Sequence, residues 1–299
     1  MTYSIVARDA GTGQMGVAVQ SHWFSVGSIV PWAKSGVGAV ATQAFAEASY
    51  GPLGLELMAG GLPVSAALAA LLAADESAPR RQVAMVDASG ATAVHTGSMS
   101  IREAGHVQGD QFSVQANMML RPTVPDAMAA AFSASTGDLT SRLLDALDAA
   151  ESEGGDIRGR QSAALLVVAG SPTGRPYVDR IFDVRVDDSP DPLGELRRLV
   201  AVKRAYDRMN RGDDLLAADD AEGAAAEYAG AQQSVPGNVE FSFWRGVMLA
   251  GEGKVDEARD FLRVALQSPA GHWDELLRRL PEVGLLPDDR SLIESLLSP

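Results

Sequence analysis

Across its first 190 residues the chain writes helices in pairs, set between groups of short alternating strands, and this order restricts the folds open to it. Tyr3 to Arg8 and Met15 to Ser21 alternate about the turn Asp9-Ala10-Gly11-Thr12-Gly13, which predicts a β-hairpin. Val37 to Gln43 reads as a third strand. Gly51 to Ala59 and Pro63 to Ala74 carry helical spacing, broken by Gly60-Gly61. A second hairpin is expected from Gln82 to Asp87 and Ala91 to His95, followed by a strand over Gln111 to Ala116. Helices over Val124 to Ser135 and Thr140 to Ser152 come next, and strands over Gln161 to Ala169 and Tyr177 to Val186 close the region. Hairpin-linked strands imply antiparallel sheets, and paired helices imply layers packed outside them. The expected fold class is α/β (α+β), a four-layer α/β/β/α sandwich. A doubly wound parallel sheet would need single alternating helices.

Asp187-Asp188-Ser189-Pro190-Asp191-Pro192 is a polar, proline-rich break, so domains are expected at 1–190 and 191–299. Beyond it the pattern is helical and repeats every 34 residues: Gly212 with Gly246, Leu215 with Leu249, Ala224 with Ala258, Tyr228 with Leu262, Ala231 with Ala265. Small residues at these spacings let two helices cross closely, and Pro236 and Pro269 stop the second helix of each unit. This is the tetratricopeptide pattern, predicting an all-α tail. His272 to Pro281 then reads as a capping helix. Two repeats are few for a free-standing solenoid, so the tail is expected to pack on the first domain or on another subunit.

Composition narrows the chemistry. The 299 residues contain no cysteine, which excludes a thiol nucleophile and a sulfur-ligated zinc. A net charge of −14 argues against sequence-independent binding of nucleic acid, which needs a basic face. Met1 to Asp9 lacks the basic and apolar regions of a signal peptide, and Ala66 to Ala74 is too short to span a bilayer. A cytoplasmic protein with no membrane partner is expected. Cations are written almost wholly as arginine, and Lys34 is the only lysine before residue 190. An ammonium can lose its proton when buried, whereas a guanidinium effectively cannot.

Gly11-Thr12-Gly13-Gln14-Met15-Gly16 matches a dinucleotide-binding glycine pattern in letters only. Val17-Ala18-Val19-Gln20 continues it as a strand and not a helix, so the segment reads as a hairpin turn. No metal-spaced His/Glu pair is present, and no metal or cofactor is predicted. His22 and His95 sit at strand ends as candidate cleft residues. Thr2 carries sharper chemistry. Removal of Met1 would put a hydroxyl and a free α-amine on one residue at the head of a strand. Such an amine, with a reference pKa of roughly 7.7–8.0, can act as general base for its own hydroxyl. A nearby cation would tune it, and Lys34 is the candidate.

Tyr3 to Asp9, Val30 to Gln43, Tyr50 to Leu55, His95-Thr96-Gly97, Gln115 to Met118 and Gly159 to Ala164 together resemble the DUF1028 family, over nearly all of residues 2–195. That family is classed with the N-terminal-nucleophile (Ntn) hydrolases. The resemblance implies the α/β/β/α sandwich and a threonine nucleophile matching Thr2, with Lys34 near the spacing of the catalytic lysine in proteasome-type subunits. Asn117 then becomes a candidate oxyanion donor, and Ser21, Thr42 and Gln43, at strand ends near the N-terminus, join His22 and His95 as candidate substrate contacts. The tail, at Phe243 to Gly246 and His272 to Leu286, resembles a segment labelled peptidoglycan-binding, a reading at odds with the missing export signal. Three functions stay open. One is an Ntn-type amidohydrolase for a small amide or peptide-like substrate. Another is a non-catalytic scaffold whose tail binds a protein partner. The third is a cell-wall-associated protein. A homodimer is expected in each case.

Overall fold

The computed structural model describes residues 2–298 and divides into two compact units, one up to Val200 and one from Ala201. The first is mixed α/β with two antiparallel sheets. β1 (Thr2–Arg8) and β2 (Met15–Ser21) form the N-terminal hairpin. β3 (Pro31–Lys34), β4 (Gly38–Ala44), β5 (Arg81–Asp87) and β6 (Thr92–Thr96) make one sheet in that order. β7 (Gly105–Gly109), β8 (Phe112–Asn117), β9 (Ser162–Val168) and β10 (Arg180–Val186) join the hairpin in a six-stranded sheet ordered β10-β9-β2-β1-β8-β7. Helices α1 (Tyr50–Ala59) and α2 (Val64–Ala74) precede β5, and α3 (Val124–Ala134) and α4 (Leu139–Ser152) precede β9.

Strand alternation sorts the side chains into three cores. Tyr3, Ile5, Ala7, Val114 and Leu165 face α3 and α4, where they meet Met128, Phe132, Leu143 and Leu147. Val40, Val83 and Met85 face α1 and α2, against Leu55, Met58 and Leu68. Val6, Met15, Val17, Ala39, Ala84, Val86 and Val168 fill the space between the sheets. Two strands, β3 and β7, are not legible from the sequence. β3 opens on Pro31 and β7 is bounded by Gly105 and Gly109; both are edge strands, where such residues are tolerated.

The join between α2 and β5 is electrostatic. Arg81 donates from Nε to Asp75 Oδ2 at 2.7 Å and from Nη1 to the carbonyl of Phe45 at 2.5 Å. Asp75 also accepts from the backbone N–H of Ser77 and from the hydroxyl of Tyr50. The bond from Arg81 is the main cause that lowers the Asp75 pKa to about 2.

The division between units falls inside α5 (Pro192–Ala217) and not at the proline-rich break. The reason is packing: Leu193, Leu196 and Val200 of its first turns belong to the core of the first unit. In the second unit, the end of α5 pairs with α6 (Ala221–Ser234), and α7 (Val239–Gly251) pairs with α8 (Val255–Leu266). Asp220 and Asn238 cap α6 and α7 through their side chains. The 34-residue spacing has a spatial counterpart. A Cβ on Gly212 would lie 2.7 Å from the Tyr228 ring, and one on Gly246 would lie 2.6 Å from Leu262 Cγ. The paired positions of the repeat are thus the close-approach points of two successive helix pairs. α9 (Trp273–Arg279) and α10 (Arg290–Leu297) follow. Among the described residues no helix is long and apolar enough to cross a membrane.

Gly246→Val should destabilise the second unit by about 1–3 kcal/mol through overpacking, read as a lower thermal midpoint by circular dichroism. Gly251→Ala, a substitution into open space at the end of α7, should instead hold or raise the midpoint. A second prediction concerns acid. The folded-state pKa of Asp75 is depressed, so its contribution is present above the unfolded pKa, roughly 3.9, and is lost as pH falls toward about 2. Stability should drop by on the order of 1–2 kcal/mol across that window. The pH dependence of the midpoint should flatten there in Asp75→Asn.

Candidate active site

The register of β1 sets the site. Thr2 lies opposite Ser21 on β2 and opposite Asn117 on β8, so three polar side chains meet at the head of a central strand. Thr2 is 3% exposed, and its hydroxyl donates to Ser21 Oγ at 3.0 Å. Its carbonyl accepts from Asn117 Nδ2 at 3.3 Å and from Gln43 Nε2 at 3.2 Å, which reaches across from the other sheet. Gln82 Oε1 accepts from both of these amides, at 2.9 Å from Asn117 and 2.7 Å from Gln43. Behind them, Ser4 donates to Gln43 Oε1 and accepts from Gln115 Nε2, each at 2.6 Å. Gln82 Nε2 is held by the carbonyl of Ala116 and the hydroxyl of Thr96, which in turn touches His106 Nδ1 at 2.8 Å. Burial lowers the His106 pKa, which favours the neutral ring. The space between the sheets is therefore apolar at one end and a hydrogen-bonded polar layer at the other.

Thr2, Gln43 and Asn117 form part of the wall of an open cavity of about 370 Å³. Its other walls are Trp23, Val26, Ile29, Val30, Ala44, Phe45, Ala46, Ile101 and Arg81. Backbone strain gathers here: Ala44 in the wall, Ser25 beside Val26 and Met118 after Asn117 all hold positive φ, at 69°, 54° and 57°. Non-glycine residues in this region cost about 1–3 kcal/mol each and are retained where surrounding structure imposes them.

Not every residue singled out by sequence comes to this place. Thr2, Ser21, Gln43 and Asn117 do. Lys34 does not: it pairs with Gly38 at the far end of β4, five residues from Gln43, or about 17 Å along the strand. Arginines supply the cations at the Thr2 end instead. Arg81 lines the cavity, and Arg158 makes a two-point pair with the fully buried side chain of Asp156, at 3.0 and 2.8 Å. Asp156 Oδ2 also accepts from the backbone N–H of His22 at 3.2 Å, one residue beyond Ser21. The His22 ring rests against the carbonyl of Arg160 and does not line the cavity. Thr42 alternates with Gln43 onto the opposite face, where its hydroxyl donates to the carbonyl of Glu47. His95 is opposite Val83 on that same outer face, its Nε2 at 2.8 Å from the carbonyl of Ala78.

The Asn117 amide is engaged within the protein. Its side-chain nitrogen bonds the Thr2 carbonyl and Gln82 Oε1, which uses both amide hydrogens, so it positions the Thr2 backbone. Ser4, Gln82 and Gln115 complete the polar layer, and the sequence carries a signal for part of it. Thr2 and Ser4, and Ser113, Gln115 and Asn117, place polar residues every second position on strands otherwise apolar. Among the described residues no group of three or more His, Asp or Glu could hold a metal ion. Met1, whose removal the Thr2 mechanism needs, lies outside the described residues. Gln82→Leu should strand the donors of Gln43 and Asn117 in a buried site. A loss of about 2–5 kcal/mol in denaturant unfolding is expected, against about 0.5 kcal/mol or less for a conservative change at an exposed position such as Glu76→Gln.

No curated protein matches the chain. A crystal structure of a protein from Silicibacter pomeroyi, bearing the DUF1028 family name, superposes with a TM-score of 0.61 at 32% identity, covering 67% of this chain and 84% of that one. The family model of DUF1028, a family of unknown function, matches residues 2–196, a span that holds every strand and helix building the Thr2 cavity. The chain belongs to the DUF1028 family.

Proposed function

We propose that this chain is an amide hydrolase of the N-terminal-nucleophile type, with Thr2 as nucleophile once Met1 is removed. The observation that carries the reading is the setting of Thr2. Its hydroxyl stands at the wall of an open cavity, and its carbonyl is gripped by two side-chain amides from opposite sheets. The α-amine of a processed Thr2 takes the hydroxyl proton, with Ser21 Oγ at 3.0 Å available as a relay. The threonine oxygen attacks the substrate carbonyl carbon, the C–N bond breaks, and the leaving amine carries away the proton. Water then hydrolyses the ester and restores the hydroxyl. Lys34 has no part in this scheme. Gln43 with Asn117 fix the strand head, so that little reorganisation accompanies attack. The layer order of helix pair, sheet, sheet, helix pair is the arrangement that the Ntn superfamily implies.

One observation favours a second reading, binding without catalysis. The amide hydrogens of Asn117 are spent on internal acceptors and those of Gln43 are engaged likewise, leaving neither side chain aimed at a developing oxyanion. Under that reading the second unit, with its tetratricopeptide-like spacing, carries the interaction. Its hollow of about 420 Å³, lined by Tyr206, Tyr228, Phe241 and Trp244, would receive a segment of a partner protein.

One set of measurements separates the two. Intact mass and N-terminal sequencing of protein from its native host should find Thr2 as the first residue. Against a panel of small amides, Thr2→Ala should lose at least about a thousandfold in turnover while keeping the folded circular dichroism spectrum. Lys34→Ala should keep wild-type turnover. Retained Met1, or a Thr2→Ala rate equal to wild type, would sink the hydrolase reading.

A further inference from the structure

The cavity over Thr2 is unusual in having the one charged side chain of its wall already neutralised. Arg81 is the sole ionisable side chain in the wall among the described residues. Its Nε and Nη2 face the two oxygens of Asp75 at 2.7 and 3.4 Å, and Nη1 donates to the carbonyl of Phe45 at 2.5 Å. A ligand anion would have to compete with a carboxylate already seated in two-point geometry. A ligand cation would meet no carboxylate at all and would stand against Arg81. An unpaired ion moved from water into such a place loses hydration without replacement.

Apart from the polar floor of Thr2, Gln43 and Asn117, the remaining wall is apolar and comes from separate parts of the chain. Trp23 follows β2, Val26, Ile29 and Val30 precede β3, Phe45 follows β4, and Ile101 lies between β6 and β7. Val26 and Val30 are almost fully buried at the base, whereas Trp23 and Phe45 are about half exposed at the mouth, at 58% and 48%. Large apolar side chains left open on several strand ends, converging on one hollow, cost solvation in the free protein and regain it when an apolar group enters. The volume, about 370 Å³, lies in the range of sites for small molecules and suits one bulky side chain with a flanking amide.

We infer that this cavity selects uncharged amides bearing a bulky apolar or aromatic side chain. This rests on the Thr2 reading only in taking the same cavity as the reaction site; the preference itself is a binding property. The apolar group packs between Val26, Val30, Trp23 and Phe45, and the amide lies toward Thr2.

Isothermal titration of the full-length Thr2→Ala protein tests it, since that variant binds without turnover. Three probes differ mainly in charge: N-acetylphenylalaninamide is neutral, N-acetylphenylalanine is an anion and phenylalaninamide is a cation. The neutral probe should bind at least about tenfold tighter than either ion, and about tenfold or more tighter than N-acetylglycinamide, which lacks the ring. Trp23→Ala in the same background should weaken the neutral probe severalfold, and Trp23→Phe should largely restore it. Equal or tighter binding of an ion, an unchanged affinity in Trp23→Ala, or no binding of the neutral probe at millimolar concentration overturns the inference. The two proposals fail separately. Neutral binding with no turnover by the wild type removes the hydrolase and keeps the ligand class. Turnover confined to charged amides removes the ligand class and keeps the hydrolase.

Discussion

The two sheets of the first unit are joined at the site by a circuit of buried side-chain amides. Gln82 Oε1 takes hydrogen bonds from Gln43 and from Asn117, and those two amides hold the carbonyl of Thr2 between them. Every atom in this small circuit is buried, so none can fall back on water. A satisfied buried hydrogen bond contributes only about 0.5–1.5 kcal/mol net, but an orphaned donor costs about 1–3 kcal/mol. The circuit therefore acts less as glue than as a constraint. It admits one register of β1 against β8, and one placement of β4 and β5 beneath them. A slip of one residue would turn Thr2 and Ser4 toward the α3 and α4 helices and bring Tyr3 into the polar layer.

That constraint explains why the layer between the sheets changes character along its length. Where Val17, Ala39, Val86 and Val168 meet, non-directional burial suffices, and many packings of similar volume would serve. Where Thr2, Gln43, Gln82 and Asn117 meet, direction matters at every atom. The left-handed backbone at Ala44 and Met118 belongs to the same end. Each residue immediately follows a network amide, Gln43 or Asn117, and turns the chain away from its strand. Strain held beside a rigid polar floor is consistent with a site whose geometry is fixed before a ligand arrives.

Sequence periodicity carried the architecture well. Alternation separated the hairpins from the helix pairs, and the 34-residue spacing picked out Gly212 and Gly246, which are the places where helices touch. What stayed hidden was non-local or lacked a pattern. β3 and β7 are four and five residues long with proline or glycine at their ends, and only their sheet neighbours make them strands. Lys34 does not reach the site, because rarity in composition says nothing about which end of a strand a residue occupies. Five residues along β4 separate it from the site. Arg81, Asp75, Asp156 and Arg158 are unremarkable as letters; folding sets Arg81, at the start of β5, against Asp75 at the end of α2, and Asp156 against the backbone of His22 just beyond β2. The polar layer itself was legible in principle, as every-second-residue Ser, Gln and Asn in phase with the inward face, yet alternation is easily credited to solvent when the second sheet is not yet in view.

Floor and rim of the cavity are built from different material, and this bears on how such a site can diverge. The floor residues Thr2, Gln43 and Asn117 lie on strands, and β1 is laddered on both sides by β2 and β8. Few substitutions there leave the hydrogen-bond circuit whole. The rim residues Trp23 and Ile101 sit outside strands, on segments connecting them, and their exposed side chains support little of the core. Changes at the rim alter what enters while leaving the Thr2 geometry intact. A fold arranged this way separates reactivity, which the sheets dictate, from selectivity, which the connections dictate. The apolar, internally neutralised wall of this chain is then a property of its own loops, and a relative with the same strands need not share it.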